Sequence, residues 1–229
     1  MLTQTITFTF LLLIGIFTNP TIKENIPTTT PSTDPISLIY DGLDGDTEAL
    51  PSREVLTMAI QGWSKMKGNL KSKVLTVIDF SLPSTAKRMW IIDPEKGEVL
   101  LNSVVSHGRN SGDLMAQSFS NQPESFKSSL GFYRTAETYS GKHGYSLRLD
   151  GLEKGFNDQA RSRAIVIHGA DYAREEFAKS VGRLGRSLGC PALPSELSAK
   201  AIDLIKDGSL LFIFGKDVSY LSKSSLIKA

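Results

Sequence analysis

Seven short segments rich in β-branched, aromatic and leucine side chains constrain the fold of this chain most strongly. They lie at residues 73–80, 89–93, 98–106, 131–139, 145–149, 163–168 and 209–214, and most are separated by turns that contain glycine. Such segments are typical of β-strands, and a turn at 94–97 predicts a β-hairpin from the second and third. Many short strands with few helices between them predict a mainly β fold, a sandwich or barrel with helical additions.

Helical spacing of apolar residues appears in three places. Residues 51–68 place Val55, Leu56, Ala59, Ile60 and Trp63 on one face and end at Gly68, which predicts an amphipathic N-terminal helix. Two more helices are predicted at 172–180 and 196–206. One helix has no core of its own, so we expect the helix at 51–68 to pack on a single domain spanning residues 47–229.

The first 46 residues differ from the rest in composition. Residues 6–17 are almost unbroken in apolar character, too short for a membrane span but of the length of a signal-peptide core. Residues 1–18 are therefore predicted to be a signal peptide or an N-terminal anchor, with a buried strand as the alternative. Residues 19–46, rich in Pro and Thr, are predicted to be a flexible leader. We expect an exported, periplasmic or cell-envelope protein that touches a membrane only through this first segment.

Composition excludes several classes of protein. The net charge of +2 over 229 residues is too small for a protein that binds nucleic acid by neutralising phosphates. The only cysteine is Cys190, so neither an internal disulfide nor a multi-thiolate zinc site is possible. The histidines lack metal-ligand spacing, and no phosphate-binding glycine motif is present. We expect no cofactor, no metal and a monomer.

The candidate catalytic residues lie between positions 163 and 194. His168-Gly169 ends a predicted strand, and Ser187-Leu188-Gly189-Cys190 follows after a spacer. A free thiol is only about 3% ionised at pH 7, and the thiolate is the nucleophile. A nearby imidazole can accept the thiol proton and later protonate a leaving amine. The alternative is a buried structural cysteine and a core histidine.

These motifs resemble the L,D-transpeptidase catalytic domain family, also called YkuD-like. The similarity extends over about residues 73–215 and includes MWIID, GEVLLNSVVSHG, AIVIHGADY and GRLGRSLGCPALP in the same order. The resemblance implies a β-sandwich or barrel of that type and an enzyme that acts on peptidoglycan stem peptides. It implies Cys190 as nucleophile and His168 as general base, with the second nitrogen of His168 held by the carbonyl of Ser187. The amides of Gly189 and Cys190 would form the oxyanion hole.

The chain departs from the better-known branch of that family at two positions. Leu188 stands where His is frequent, and Pro191-Ala192 replace an apolar residue followed by Arg or Asn. The substrate-carboxylate contact must then come from elsewhere, and Arg183 and Arg186 are the candidates. An L,D-carboxypeptidase, which uses water as acceptor, and a non-catalytic cell-wall binding module remain alternatives.

Five further residues are interpreted from their positions in the sequence. His107 and His143, each before a glycine, and Tyr133 are predicted to line the substrate groove, with structural roles in turns or the core as the alternative. Arg161 and Arg163, just before the strand that carries His168, are predicted to be solvated.

Overall fold

The computed structural model describes Ser37 and residues 50–228. The predicted signal peptide or anchor at 1–18 lies outside the described residues, and so does the predicted leader at 19–46 apart from Ser37. Within the described part of the chain, no helix is both long and apolar enough to cross a membrane.

In the described part of the chain, eight strands form one mixed sheet, which confirms the mainly β prediction. The strands are β1 (Leu75–Asp79), β2 (Met89–Asp93), β3 (Glu98–Ser103), β4 (Gly131–Gly141), β5 (Gly144–Gly151), β6 (Val166–Gly169), β7 (Ala192–Leu193) and β8 (Leu210–Phe214). Their order across the sheet is β3-β2-β1-β8-β4-β5-β6-β7. The pairs β1–β8 and β6–β7 are parallel, and the other neighbours are antiparallel.

The two ends of this sheet nearly meet. Ser106, three residues beyond β3, forms an antiparallel bridge to Ala192 in β7, with its amide donating to the Ala192 carbonyl over 2.9 Å. A sheet whose first and last strands are joined in this way approaches a barrel and leaves little open edge. The loop after β3 is thereby held beside the segment that leads into β7.

Between residues 50 and 228, four α-helices accompany the sheet. They are α1 (Arg53–Met66), α2 (Glu175–Val181), α3 (Ser195–Ile205) and α4 (Val218–Lys223). The helix predicted at 51–68 is present as α1, and the Oγ of Ser52 accepts a hydrogen bond from the Val55 amide at its N-terminus. Trp63 of α1 is buried, and its indole Nε1 donates to the Lys73 carbonyl just before β1 over 2.8 Å. The helices predicted at 172–180 and 196–206 correspond to α2 and α3, while α4 was not predicted.

The strand β7 was also not predicted, yet it positions the cysteine segment. It has only two residues and lies between Pro191 and Pro194, so neither its length nor its composition indicates a strand. It pairs in parallel with β6, with Ala192 opposite His168. This pairing brings Cys190, two residues before β7, to the start of β6.

Candidate active site

The thiol of Cys190 lies against the backbone that leads into β6. Its Sγ is 3.6 Å from the carbonyl oxygen of Ala164, to which the thiol donates, and the amide of Val166 also interacts with it. Ala164 has a φ of 53°, a left-handed conformation that residues other than glycine rarely adopt. The nucleophile predicted from sequence is thus brought to the start of the strand that carries His168.

The imidazole of His168 is 3% exposed and oriented by its own strand end. Its Nδ1 lies 2.9 Å from the carbonyl oxygen of Gly169. Because a carbonyl only accepts hydrogen bonds, Nδ1 carries the proton and Nε2 is left with its lone pair. The ring is thus held by the Gly169 carbonyl and not, as expected, by that of Ser187, which accepts from the amide of Arg109 over 2.8 Å.

Burial lowers the pKa of His168, and the charge of nearby His143 lowers it further, while the Gly169 carbonyl acts in the opposite direction. A lowered pKa keeps the ring neutral around pH 7, the state in which Nε2 can accept a proton. Geometry and electrostatics therefore both favour His168 as a base.

Burial raises the pKa of the Cys190 thiol, whereas the Val166 amide and the positive charge of Arg163 lower it. Cys190 is partly exposed and forms no disulfide. Its hydrogen bond to the Ala164 carbonyl describes a protonated resting state, and the thiol must leave that carbonyl to transfer its proton to His168.

The turn before the cysteine is braced by Ser187. Its Oγ donates to the Cys190 carbonyl over 2.6 Å and accepts from the Gly189 amide over 3.0 Å. Gly189 has a φ of 127°, which other residues rarely adopt, and a Cβ at this position would lie only 2.9 Å from the Lys127 carbonyl oxygen. The turn therefore requires glycine here. Because its amide is already bound, Gly189 does not offer a free donor to an oxyanion, unlike what the resemblance implies.

His143 is the predicted groove residue that the structure brings to His168. It lies exposed in the turn between β4 and β5, and its ring stacks on that of His168 with centroids 4.4 Å apart and an interplanar angle of 26°. The side chain therefore covers one face of the predicted base.

His107 and Tyr133 do not line a groove, and their prediction as substrate contacts is wrong. Both are 0% exposed. His107 accepts at Nδ1 from Nη2 of Arg88 over 2.8 Å, and the Tyr133 hydroxyl donates to the Ser129 carbonyl over 3.0 Å. The sequence places His107 near the end of a strand and Tyr133 within one. It does not tell whether either side chain faces the buried core or a solvent-filled groove.

Arg183 and Arg186 share one carboxylate. Asp113 lies 2.6 Å from Nε of Arg183 and 3.2 Å from Nη1 of Arg186, and Arg186 also donates to the Gly112 carbonyl over 2.9 Å. A substrate carboxylate would have to compete with Asp113 for them, which weakens their prediction as its contacts.

Two residues near Cys190 were missed from sequence. Arg163, predicted to be solvated, is half-buried, and its charge interacts with that of Cys190. In the predicted strand at 163–168, its alternation with Ile165 and Ile167 was the signal for burial, although the observed strand begins only at Val166. Tyr172 is the second, and burial together with the charge of Cys190 raises its pKa to about 12. The phenol therefore stays protonated at neutral pH.

No three side chains of the metal-binding types His, Cys, Asp and Glu converge within the residues that the structure describes. The guanidinium of Arg163 and the phenol of Tyr172 interact with the thiol of Cys190, and the imidazole of His168 lies on the strand that pairs with β7. This set suits acyl transfer through a covalent thioester.

Comparison with solved structures found L,D-transpeptidases from several bacteria. One from Mycobacterium smegmatis is 17% identical, with 62% of this chain and 58% of that chain covered and a TM-score of 0.37. L,D-transpeptidase 1 of Mycobacterium tuberculosis is 15% identical, with 62% of both chains covered and a TM-score of 0.36. One from Enterococcus faecium is 15% identical, with coverage of 62% and 49% and a TM-score of 0.37. The match thus spans about half to three fifths of their length.

The comparison with curated proteins gave no match. A family model described as the L,D-transpeptidase catalytic domain matches residues 48–214, which include α1 and every strand of the sheet. This match extends over well more than half of the chain. The chain therefore belongs to the L,D-transpeptidase catalytic domain family.

Proposed function

We propose that this protein is a cysteine acyltransferase that acts on peptidoglycan stem peptides, with Cys190 as nucleophile and His168 as general base and acid. The observation that carries the proposal is the pairing of β6 with β7, which sets Ala192 opposite His168 and brings Cys190 to the same strand. The hydrogen bond of His168 to Gly169 supports it, since it leaves Nε2 free for proton transfer.

Acylation follows from these roles. Nε2 of His168 takes the thiol proton, and the thiolate attacks the carbonyl carbon of the third stem-peptide residue. The tetrahedral intermediate collapses when the C–N bond to D-alanine breaks, and the leaving amine receives the proton from His168. The product is a thioester on Cys190 and free D-alanine. Because Ser187 holds the Gly189 amide, we assign the oxyanion to the amide of Cys190, which in the resting state interacts with its own sulfur.

Deacylation needs an acceptor on the same face. An amine from a second stem peptide attacks the thioester and loses a proton to His168, and the released thiolate then takes that proton back. Water as acceptor would make the protein an L,D-carboxypeptidase. The position that provides an Arg or Asn contact in the better-known branch is Ala192 here, and its side chain is buried. The acceptor therefore has to be determined from products.

Location follows from the substrate in this proposal. Peptidoglycan lies outside the cytoplasmic membrane, so the protein acts in the periplasm or cell envelope, and the apolar residues 6–17 serve its export or anchoring. We propose that it works as a monomer without a cofactor.

The experiment compares the wild-type protein with Cys190→Ala on purified tetrapeptide muropeptides. We expect wild-type protein to release D-alanine and Cys190→Ala to lose at least about a thousandfold of that rate, because no other nucleophile replaces the thiolate. Mass spectrometry of the products assigns the acceptor, since new dimers indicate transfer and tripeptide monomers alone indicate hydrolysis. Equal urea midpoints show that both proteins are folded. Release of D-alanine by folded Cys190→Ala at the wild-type rate would contradict the mechanism.

A further inference from the structure

Arg163 is held in place by four hydrogen bonds to oxygens that carry no charge. Its Nη1 donates to the Ser120 carbonyl over 2.7 Å and to Ser129 Oγ over 2.6 Å. Its Nη2 donates to Ser125 Oγ over 3.3 Å and to the Lys127 carbonyl over 2.7 Å. These contacts use all four Nη hydrogens and fix the plane of the guanidinium on the segment 120–129.

The charge of Arg163 has no acidic partner among the described residues, in contrast to its neighbour Arg161. Arg161 is exposed and forms ion pairs with Glu137 at 2.8 Å and Asp150 at 2.5 Å. Arg163 is half-buried and lacks any ion pair within the described part of the chain. Hydrogen bonds to neutral oxygens satisfy its donors but not its charge, and a partly desolvated cation favours a nearby anion.

The guanidinium lies beside the catalytic turn. Nη2 of Arg163 is 3.4 Å from the point where a Cβ on Gly189 would lie, and Gly189 directly precedes Cys190. The segment that binds Arg163 is itself joined to this turn, because Ser128 Oγ donates to the Gly189 carbonyl over 3.2 Å. The position of the charge relative to Cys190 is therefore fixed by the fold.

The other titratable groups of the site do not neutralise this charge. Burial raises the pKa of Tyr133, and burial with the charge of Cys190 raises the pKa of Tyr172 to about 12. Both phenols are protonated at neutral pH, and His168 carries no negative charge in any state. Among the described residues, the acidic side chains that interact with Arg163 are Tyr133 and Cys190, and Cys190 is the one that becomes an anion during the proposed reaction.

We propose that Arg163 is the fixed counter-charge of the Cys190 thiolate and acts through its charge rather than by contact with the substrate. The inference rests on the proposed function, since it concerns the same nucleophile. Arg163 is a positioning residue in this role, because its Nη donors are already occupied and the reacting atoms belong to Cys190. It offsets the burial that opposes ionisation of the thiol.

The test measures thiol ionisation without any peptidoglycan substrate. The rate of iodoacetamide alkylation of Cys190, followed by intact mass from pH 5 to 10, reports the thiolate fraction. We expect Arg163→Met to move this profile to higher pH and to slow alkylation at pH 7 by roughly tenfold, the effect of losing one nearby charge. Arg163→Lys should regain most of the lost rate, because it keeps the charge and cannot reproduce the four hydrogen bonds.

The matched control is Arg161→Met, which removes an arginine two residues away whose charge is already paired, and its profile should equal that of wild type. A wild-type profile for Arg163→Met would overturn the proposal. Equal losses in Arg163→Lys and Arg163→Met would also overturn it, because they would assign a purely structural role to the hydrogen bonds. Should Arg163→Met not fold, Arg163→Gln replaces it in the same comparison.

The two proposals fail separately. A profile that depends on the charge at 163, in a protein that releases no D-alanine, leaves Arg163 as counter-charge and rejects the transpeptidase function. Release of D-alanine with a profile indifferent to Arg163 rejects the counter-charge alone.

Discussion

His143 and His168 stack with their ring centroids 4.4 Å apart, so a charge on His143 affects proton binding by His168. An imidazolium at His143 disfavours a second positive charge on His168, and this lowers the pKa of His168 in addition to burial. A neutral aromatic ring in the same place would instead stabilise the imidazolium that forms when His168 takes the thiol proton. The charge of His143 thus acts together with burial to lower the pH at which His168 becomes protonated and stops working as the proposed base.

Replacing His143 by Phe should move the acid limb of the pH–activity profile to higher pH. Phe keeps the stacked ring and removes the charge, so the pKa of His168 rises and the base is lost to protonation earlier as pH falls. Profiles of kcat/KM from pH 4.5 to 8 for wild type, His143→Phe and His143→Ala measure this. An acid limb that stays in place, or moves to lower pH in His143→Phe, would contradict the role given to the stack.

The loop that follows β3 is joined to the catalytic turn by buried polar contacts. Nη2 of Arg88 donates to Nδ1 of His107, which leaves the proton on Nε2, 3.4 Å from the Gly112 carbonyl. The carbonyl of His107 accepts from the Ser187 amide over 2.9 Å, and the Ser187 carbonyl accepts from Arg109. His107 is therefore a buried residue that stabilises the turn containing Cys190 through its backbone carbonyl, and it does not contact a substrate.

Stability should fall at acid pH because His107 must stay neutral in the fold. Burial and the charge of Arg88 lower its pKa from 6.5 to about 4. As the pH falls below 6.5, the unfolded chain binds the proton first, so stability present above pH 6.5 declines toward pH 4 by about 3 kcal/mol. Urea unfolding at pH 7 and pH 4.5 measures this, and His107→Asn, which keeps an acceptor for Arg88, should lose less stability between them than wild type.

The exposed His143 provides the comparison for that experiment. His143→Asn should retain most of the wild-type loss between pH 7 and pH 4.5, because its ring is not buried in the fold. If His107→Asn and wild type lost equal stability over this interval, protonation of His107 would not limit the fold at acid pH.

Local signals in the sequence predicted most elements but few of the contacts between them. Strand β2 was predicted at its observed bounds, and α1 within two residues at each end, because both carry a periodic apolar pattern and clear end signals. The two-residue strand β7 owes its existence to β6 and carries no such pattern. The same reason applies to the site. His168-Gly169 and Ser187 to Cys190 are local motifs that the sequence shows directly, whereas the guanidinium of Arg163 is held beside Cys190 by the distant segment 120–129.

At the scale of the whole molecule, α1 shares its core with the sheet that carries the site. Its buried side chains belong to the same apolar cluster as β1, β4 and β8. Close contact is possible because Gly62 faces Phe132 of β4, and a Cβ at Gly62 would lie 2.1 Å from Cζ of that ring. Phe132 is itself 0% exposed and stacks on Phe212 of β8 with centroids 4.3 Å apart.

Gly62→Ala should therefore destabilise the whole domain, although alanine is the better helix former. Helix propensity alone predicts a gain of about 1 kcal/mol, but the added methyl group has to displace a ring packed between two strands, and overpacking of this kind costs about 1–3 kcal/mol. Gly68→Ala is the matched control, since a Cβ there has no neighbour within 4 Å. Urea midpoints followed by fluorescence of Trp63 and Trp90 measure both variants. A single cooperative transition that shifts to lower urea in Gly62→Ala alone shows that α1 and the catalytic sheet unfold together. If Gly62→Ala were as stable as Gly68→Ala, α1 would be only loosely attached to the sheet.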